Sequence, residues 1–591
     1  MDQNRLILAI ALSLAILLGF QYFMPHANVA QQQHAAQLAT RDTPSGDSPL
    51  PTNNPSDPGN QPVTVPAPDT GPRLAIDAPG VQGSLNLRGA RLDDLVLRAY
   101  HDTVARDSPL VQLLEPRADP QPSYVQFGWT APASAPGTAT PALPDPETTQ
   151  WTSSGGDLTP AHPVTLSWDN GAGLIFTVGL AVDVDYMFTI TQGLHNATGA
   201  PVALFPWSRI RRDYTPQTAG YYILHEGFVG VLGERLHELK YDASKKAAQG
   251  HPGGVAFNEV TTGGWAGITD KYWLTALVPD QKAQTSASYR HLLDNNHDRY
   301  QVDFVTSDPL VAAAGADATY ESHLFAGAKI VTLLDRYEAQ YSIPSFDKAV
   351  DFGWFYFLTK PIFYALDWLN GVLGNFGLAI MAFTIGVKAL FFPLASYSYR
   401  SMSKMKLLAP KVAALRERYK DEPAKIQQEM MAVYKAEKVN PASGCLPMLL
   451  QVPVFFCLYK DIFVTIEMRH APFFGWIHDL SAQDPTNLFN LFGLIPFNPA
   501  SFFPAVQLSA WTLIMGVTMY AQQQLNPPPP DPMQARLFRF MPLIFMFMMG
   551  RFPAGLVIYW SWNNTLTCLQ QWFIMRQTRL RGTRTAQVAR T

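Results

Sequence analysis

One charge interrupts an apolar stretch at residues 377–394, GLAIMAFTIGVKALFFPL, and that charge is Lys388. An ionised side chain at the centre of a bilayer costs roughly 3 kcal/mol on insertion scales, and far more on an isolated helix. A chain keeps such a residue where water, a partner or a polar substrate can meet it. The stretch therefore points to a water-accessible cavity inside a helical bundle. The alternative is a lysine that snorkels along its own stem to the headgroups.

The 591 residues divide by composition into unlike halves. Residues 25–345 are polar with scattered strand-like runs, and residues 352–575 are dominated by long apolar runs. A chain of this length needs more than one core. The three cysteines, Cys445, Cys457 and Cys568, all fall in expected spans. The polar half therefore has no disulfide, and the cysteines read as small apolar packers. Catalytic residues, metal ligands and cofactors are not expected. The net charge of −3 says nothing about nucleic acid, and no specific DNA binding is expected.

Residues 6–23 form an apolar run of about 27 Å as a helix, near the hydrocarbon thickness, so 1–24 is expected as an uncleaved transmembrane anchor. Residues 25–72 are rich in Gln, Pro, Ser and Asp and are expected as a disordered linker. Further spans are expected near 374–395, 444–464, 505–525, 538–550 and 554–575. Before them, 344–373 carries many aromatics together with Lys360, Pro361 and Asp367. That mixture suits an amphipathic helix lying in the membrane interface.

Lysine and arginine set the orientation. Residues 400–440 hold ten basic and five acidic side chains. The tail, 576–591, adds five arginines and no acid. Both are expected in the cytoplasm. Six spans then place both termini there, and residues 73–343 lie on the far side, the periplasm of a Gram-negative inner membrane.

The outer region reads as all-β. Residues 164–198 give several strands separated by turn residues, and 91–100 and 329–340 read as further strands. Many short strands without alternating helices imply an antiparallel sandwich. Such folds often bind sugars, and His195, His225 and Glu226 are conceivable as an acid/base set. Scattered polar residues on strands are more often simply solvated. Residues 399–441 read instead as a helical hairpin, with an apolar stripe at Met402, Met405, Leu408, Val412, Leu415 and Tyr419. Proline 423 starts its second helix. Its basic surface, including Arg400, Lys404, Lys406, Lys411, Arg416 and Arg418, is either a solvated face or a docking surface. The methionines suit contact with varied apolar segments.

Several longer motifs come in order: KMKLLAPKVAALRERYKDEP (404–423), QEMMAVYKAEKVNPASGCLPMLLQVPVF (428–455), RHAPFFGWIHDLSAQDP (469–485), DPMQARLFRFMP (531–542) and FPAGLVIYWSWNN (552–564). With them the chain resembles the YidC family of membrane protein insertases over 344–575, and in outline its Gram-negative branch over 25–343. The resemblance implies an α-helical polytopic membrane bundle, with one anchor and five core spans (374–575), a periplasmic β-supersandwich and the cytoplasmic hairpin. It implies a hydrophilic groove open to the cytoplasm and to lipid. The groove's positive residue, usually arginine, aligns with Lys388; lysine lacks the planar fork of donors. Thr384 matches a polar groove position, and Tyr559 and Trp560 match paired aromatics of the last span. Implied partners are nascent membrane proteins, the Sec translocon, the ribosome and targeting factors, and the lipid bilayer.

Uncharged polar residues inside spans, namely Gln451, Thr512, Asn563, Asn564 and Thr567, are further groove candidates, or else interhelical hydrogen-bonding groups. No GxxxxGK[ST] pattern calls for a nucleotide. Three other readings stand beside insertion, one of them a structural assembly factor that clamps other membrane proteins and does not exclude insertion. A transporter with a sugar-binding periplasmic domain requires inverted repeats among the spans, and none is visible. A membrane-anchored sugar isomerase requires activity in the outer domain alone.

Overall fold

The computed structural model describes residues 71–132, 141–218, 224–294, 297–419, 422–437, 439, 446–495, 507–526 and 532–588. The expected anchor and the expected linker up to residue 70 lie outside them. The described residues fall into two units, one ending at Asp351 and one beginning at Phe352.

The first unit is an all-β sandwich of a ten-stranded and a nine-stranded sheet, with neighbouring strands paired antiparallel. Strand Leu174–Val182 shows why the sequence folds so: Leu174, Phe176, Val178, Leu180 and Val182 are buried and the residues between them are not. That period of two puts one apolar face inward. The ten-stranded sheet carries Ser123–Thr130, Val202–Arg212, His297–Thr306 and Gln284–Asp294 side by side. The segment expected as a strand at 329–340 is instead a helix. Among the described residues two α-helices belong to this unit, α1 (Tyr241–Ala248) and α2 (Val331–Tyr341). In α2 the buried residues are Val331, Leu333, Leu334 and Tyr337, a helical spacing that a short apolar–polar alternation imitates.

His195 and His225, two of the three residues conceivable as an acid/base set, each bond elsewhere. His195 pairs with Asp317 across the sheet at 2.7 Å, both exposed. His225 is buried and bonds the Phe228 carbonyl through Nε2 at 2.7 Å.

Asp298 links several elements of this unit. Its carboxylate accepts from Lys245 Nζ at 2.6 Å, Thr215 Oγ1 at 2.6 Å and His291 Nε2 at 2.9 Å. Burial pushes its pKa up, but these hydrogen bonds outweigh burial and hold the group at about 2 against an ordinary 3.8. A carboxyl whose folded pKa is depressed contributes stability above its unfolded pKa and loses it as pH falls towards the folded value. Asp298→Asn is therefore expected to lower the domain's melting temperature above pH 3.8, and the gap from the parent should close as pH falls to about 2. Thermal melts of the full chain across that window check this; a gap that stays constant would mean that Asp298 acts through shape alone.

The second unit is helical: α3 (Tyr356–Leu373), α4 (Phe376–Leu390), α5 (Phe392–Arg418), α6 (Pro423–Ala436), α7 (Leu446–Val464), α8 (Ala510–Leu525), α9 (Pro532–Met549) and α10 (Ala554–Val588). Asn375 caps α4 by accepting from the Leu378 amide at 3.1 Å, and Ser509 caps α8 through the Thr512 amide at 3.3 Å. Gly516 lets α8 and α9 approach closely: a Cβ there would meet Met546 Sδ at 2.1 Å. Among the described residues no single helix is both long and apolar enough to cross a membrane, while α4 and α5 together are, bent by 69°.

That bend revises the expected uninterrupted span over 374–395. Pro393 sits in the first turn of α5. In a continuous helix its ring would clash with the carbonyl four residues back, so α4 stops at Leu390. The helix expected over 344–373 is also shorter than that range. It begins at Tyr356, after a 3₁₀ turn at Phe346–Ala349 in the other unit. One stripe of it, Phe357, Tyr364, Trp368 and Val372, is exposed, and the opposite one, Thr359, Ile362, Phe363 and Leu366, is buried.

Candidate functional site

One end of the helical unit is tied shut by the loop that follows α7. The Asn375 side chain, ahead of α4, donates to the Pro472 carbonyl at 3.1 Å. The amides of Ala554 and Gly555, starting α10, donate to Ala482 and Leu480. Asp484 is nearly fully buried and accepts from Trp476 Nε1 at 3.1 Å, from the Thr486 amide and hydroxyl, and from the Trp511 amide at 3.2 Å. One carboxylate thus joins the loop to the start of α8. This gives RHAPFFGWIHDLSAQDP a physical job: its hydrogen bonds gather the ends of α4, α8 and α10.

Lys388 is twelve residues along α4 from Phe376, about 18 Å from that closed end. Thr567, thirteen residues along α10 from Ala554, lies at a similar depth, about 20 Å. The two side chains meet: Lys388 Nζ donates to Thr567 Oγ1 at 2.6 Å. The Thr567 hydroxyl spends its own proton on the Asn563 carbonyl at 2.7 Å, which leaves its oxygen to accept. Lys388 occupies the last turn of α4, where the unpaired carbonyls at a helix carboxyl end carry partial negative charge. The ammonium, carried by the last turn of α4, is thus met by a hydroxyl. Among the described residues no carboxylate pairs with it.

Around it lies a partly open cavity. Of the sequence candidates, Lys388, Thr384, Gln451, Tyr559 and Asn563 are in its wall. Tyr559 and Gln451 hydrogen-bond to each other, and the Thr384 hydroxyl donates to the Ile380 carbonyl at 2.6 Å. Thr512 and Trp560 are not in the wall. The Thr512 hydroxyl is used on the Ser509 carbonyl at 2.8 Å, within its own helix start. The Trp560 ring packs edge-on to Phe455, 4.8 Å between centroids, and against Phe545. Asn564 reaches Thr518 on α8 at 3.5 Å, an interhelical contact. Sequence reasoning missed Tyr399 and Gln570, which also line the cavity.

The six basic hairpin residues are not equivalent. Arg400, Lys404, Lys411 and Arg418 are exposed. Lys406 donates to the Gln524 carbonyl at 3.1 Å, Lys411 pairs with Glu437 at 3.1 Å, and Arg416 leans on Met430. Met402 is buried with Tyr399 and Ile574 of α10, and Met405 packs beside them. These two methionines pack between α5 and α10. Lys420 and the end of the hairpin at 440–441 lie outside the described residues.

The family model described as "60Kd inner membrane protein" matches residues 368–581, and that of the "YidC periplasmic domain" matches 73–365. The membrane protein insertase YidC of Granulibacter bethesdensis is 58% identical over 98% of this chain and 99% of its own length. That of Acidiphilium cryptum is 58% identical over 86% of this chain and 85% of its own length. The chain belongs to the YidC family of membrane protein insertases. It is accordingly an inner-membrane insertase with a periplasmic β-domain, and nothing supports the transporter reading. A solved active YidC insertase aligns with TM-score 0.33 and 16% identity, over 84% of this chain and 91% of that one.

Proposed function

We propose that the cavity around Lys388 is the groove through which this insertase receives the polar flank of a nascent membrane segment. The reading rests on one observation: among the described residues, the cavity wall holds a single cation, hydrogen-bonded to a threonine hydroxyl among other polar side chains. A short polar flank must be desolvated to cross lipid. Water and polar groups along part of the path shorten the low-dielectric distance and lower that barrier. Lys388 attracts acidic residues of the flank, and the apolar part of the substrate partitions into the bilayer at about 25 cal/mol per Å².

In this reading the tied end of the helical unit faces the periplasm and the hairpin of α5 and α6 faces the cytoplasm. The chain crosses the membrane with one anchor and five core spans, and both termini are cytoplasmic. Exposed Arg400, Lys404 and Arg418 suit the ribosome, targeting factors or anionic lipid. The exposed aromatic stripe of α3 suits the interface. The Sec translocon is a partner for larger substrates. The curated relatives are named as insertases, and we assign no enzymatic activity.

The test is photocrosslinking to a stalled single-span nascent chain. Probes placed at 451 and 563 should capture the chain, and a probe at 512 should not. Equal capture at all three positions, or none at 451 and 563, would reject the groove.

A further inference from the structure

The loop between α7 and α8 contains a short apolar turn that neither the groove nor the packing of the helices uses. It is the 3₁₀ segment Leu488–Gly493, followed by Leu494 and Ile495. Phe489, Leu491, Phe492, Leu494 and Ile495 are all exposed, Leu494 at 84%. Apolar side chains clustered in this way are uncommon on a surface that faces water.

The turn is held in shape by its own backbone. The Leu488 amide donates to the Leu508 carbonyl at 2.7 Å, and the Phe492 amide to the Asn487 carbonyl at 2.8 Å. The Asn487 side chain accepts from the Phe489 amide at 3.1 Å. Leu491 and Phe492 are both left-handed, with φ of 49° and 58°. That conformation is unfavourable for residues with a Cβ. Two in succession, both with exposed apolar side chains, mark a backbone that keeps those side chains outward instead of folding them in.

The surroundings indicate the occupant. The turn is joined to the tied end of the helical unit through Leu508 and, by way of Thr486, through Asp484. That end holds the starts of α4, α8 and α10, so it lies where helices leave the membrane. No Lys, Arg, Asp or Glu occurs between Asp484 and Asp531, a run of a kind that does not belong in water. Val517 and Ile514 continue the exposed apolar surface down α8.

We infer that the turn at 488–495 is a lipid anchor, whose side chains insert into the acyl boundary of the periplasmic leaflet. It fixes how deeply the tied end sits, and hence how much lipid remains beyond the cavity. The inference rests on membership of an inner-membrane family and on this turn, and it stands whether or not the cavity receives substrate.

The experiment uses the full chain with Cys445, Cys457 and Cys568 replaced by alanine and a nitroxide attached at Leu491→Cys or Leu494→Cys. The protein is reconstituted in vesicles of phosphatidylethanolamine and phosphatidylglycerol. Collision with oxygen, which concentrates in lipid, should exceed collision with a water-soluble nickel chelate, at a depth of about 5–10 Å. The exposed Arg400 position, labelled in the same way, should show the reverse order. Dominant nickel collision at 491 and 494 would put the turn in water and overturn the inference. Low collision with both reagents would mean that protein covers the turn, and would overturn it equally.

Discussion

Replacing Lys388 with leucine is expected to slow insertion of a substrate with an acidic translocated tail by about tenfold, the effect of losing about 1.4 kcal/mol of attraction in the rate-limiting step. Lys388 is the one charged residue in the cavity wall among the described residues, so a substrate with an uncharged tail should be slowed much less. Lys388→Arg should retain most activity, because the guanidinium keeps the charge. Lys388→Glu should reverse the preference between acidic and basic tails. Thr567→Val should have a smaller effect in the same direction as leucine, since it removes the acceptor at 2.6 Å without removing the cation. Protease protection of single-span substrates in liposomes measures all of these. If Lys388→Leu slowed acidic and uncharged tails alike, the lysine would be serving stability. If it slowed neither, the cavity would have no part in insertion.

Lys388 was the most legible residue in the chain, yet its setting was only half legible. An ionised group in an apolar run signals a polar cavity at once. Reading the run as one span, however, placed the lysine mid-helix, whereas α4 ends two residues beyond it. The signal was Pro393, which fits the first turn of a new helix better than the interior of an old one. Among the described residues the ammonium is met there by the Thr567 hydroxyl and by no carboxylate.

The other groove candidates divide by a criterion that composition does not contain. Thr384, Gln451 and Asn563 line the cavity, while Thr512 satisfies its own helix start. Ser509, just before an apolar run, was the local sign that a cap would use the nearby hydroxyl. Tyr399 and Gln570 had no local sign, because their place in the wall depends on how α5 lies against α10. In the β-unit, alternation located the buried faces, as in Leu174–Val182. It did not separate α2 from a strand, because over about ten residues the two periods overlap. Nor did it show which polar residues would meet, since that depends on register between strands far apart in sequence.

Register matters most at Asp303, whose removal is expected to be the most damaging change in the β-unit. Arg209 faces Asp303 across one strand pair, and Ser288 faces it across the next. Asp303 therefore lies between Arg209, at 2.6 Å, and Arg290, at 3.2 Å, and also accepts from Gln301 Nε2 at 2.7 Å. Asp303 and both arginines are almost wholly buried. Asp303→Ala would leave two guanidinium groups with their shared carboxylate gone. Breaking a buried ion pair from one side costs about 3–5 kcal/mol, which for a domain of this size lowers the melting temperature by roughly 10 °C. Calorimetry of the full chain in detergent should show that transition move while the helical unit's does not. Replacing all three, Arg209→Met, Asp303→Leu and Arg290→Met, should restore much of the loss, because an apolar set needs no charge partner. The contrast between the single and the triple variant separates a charge left uncompensated from a cavity left unfilled. If the triple variant were no better than Asp303→Ala, packing and not charge would govern this face of the sheet. Insertion by Asp303→Ala, measured below its own transition, should match the parent, because none of these side chains lines the cavity around Lys388.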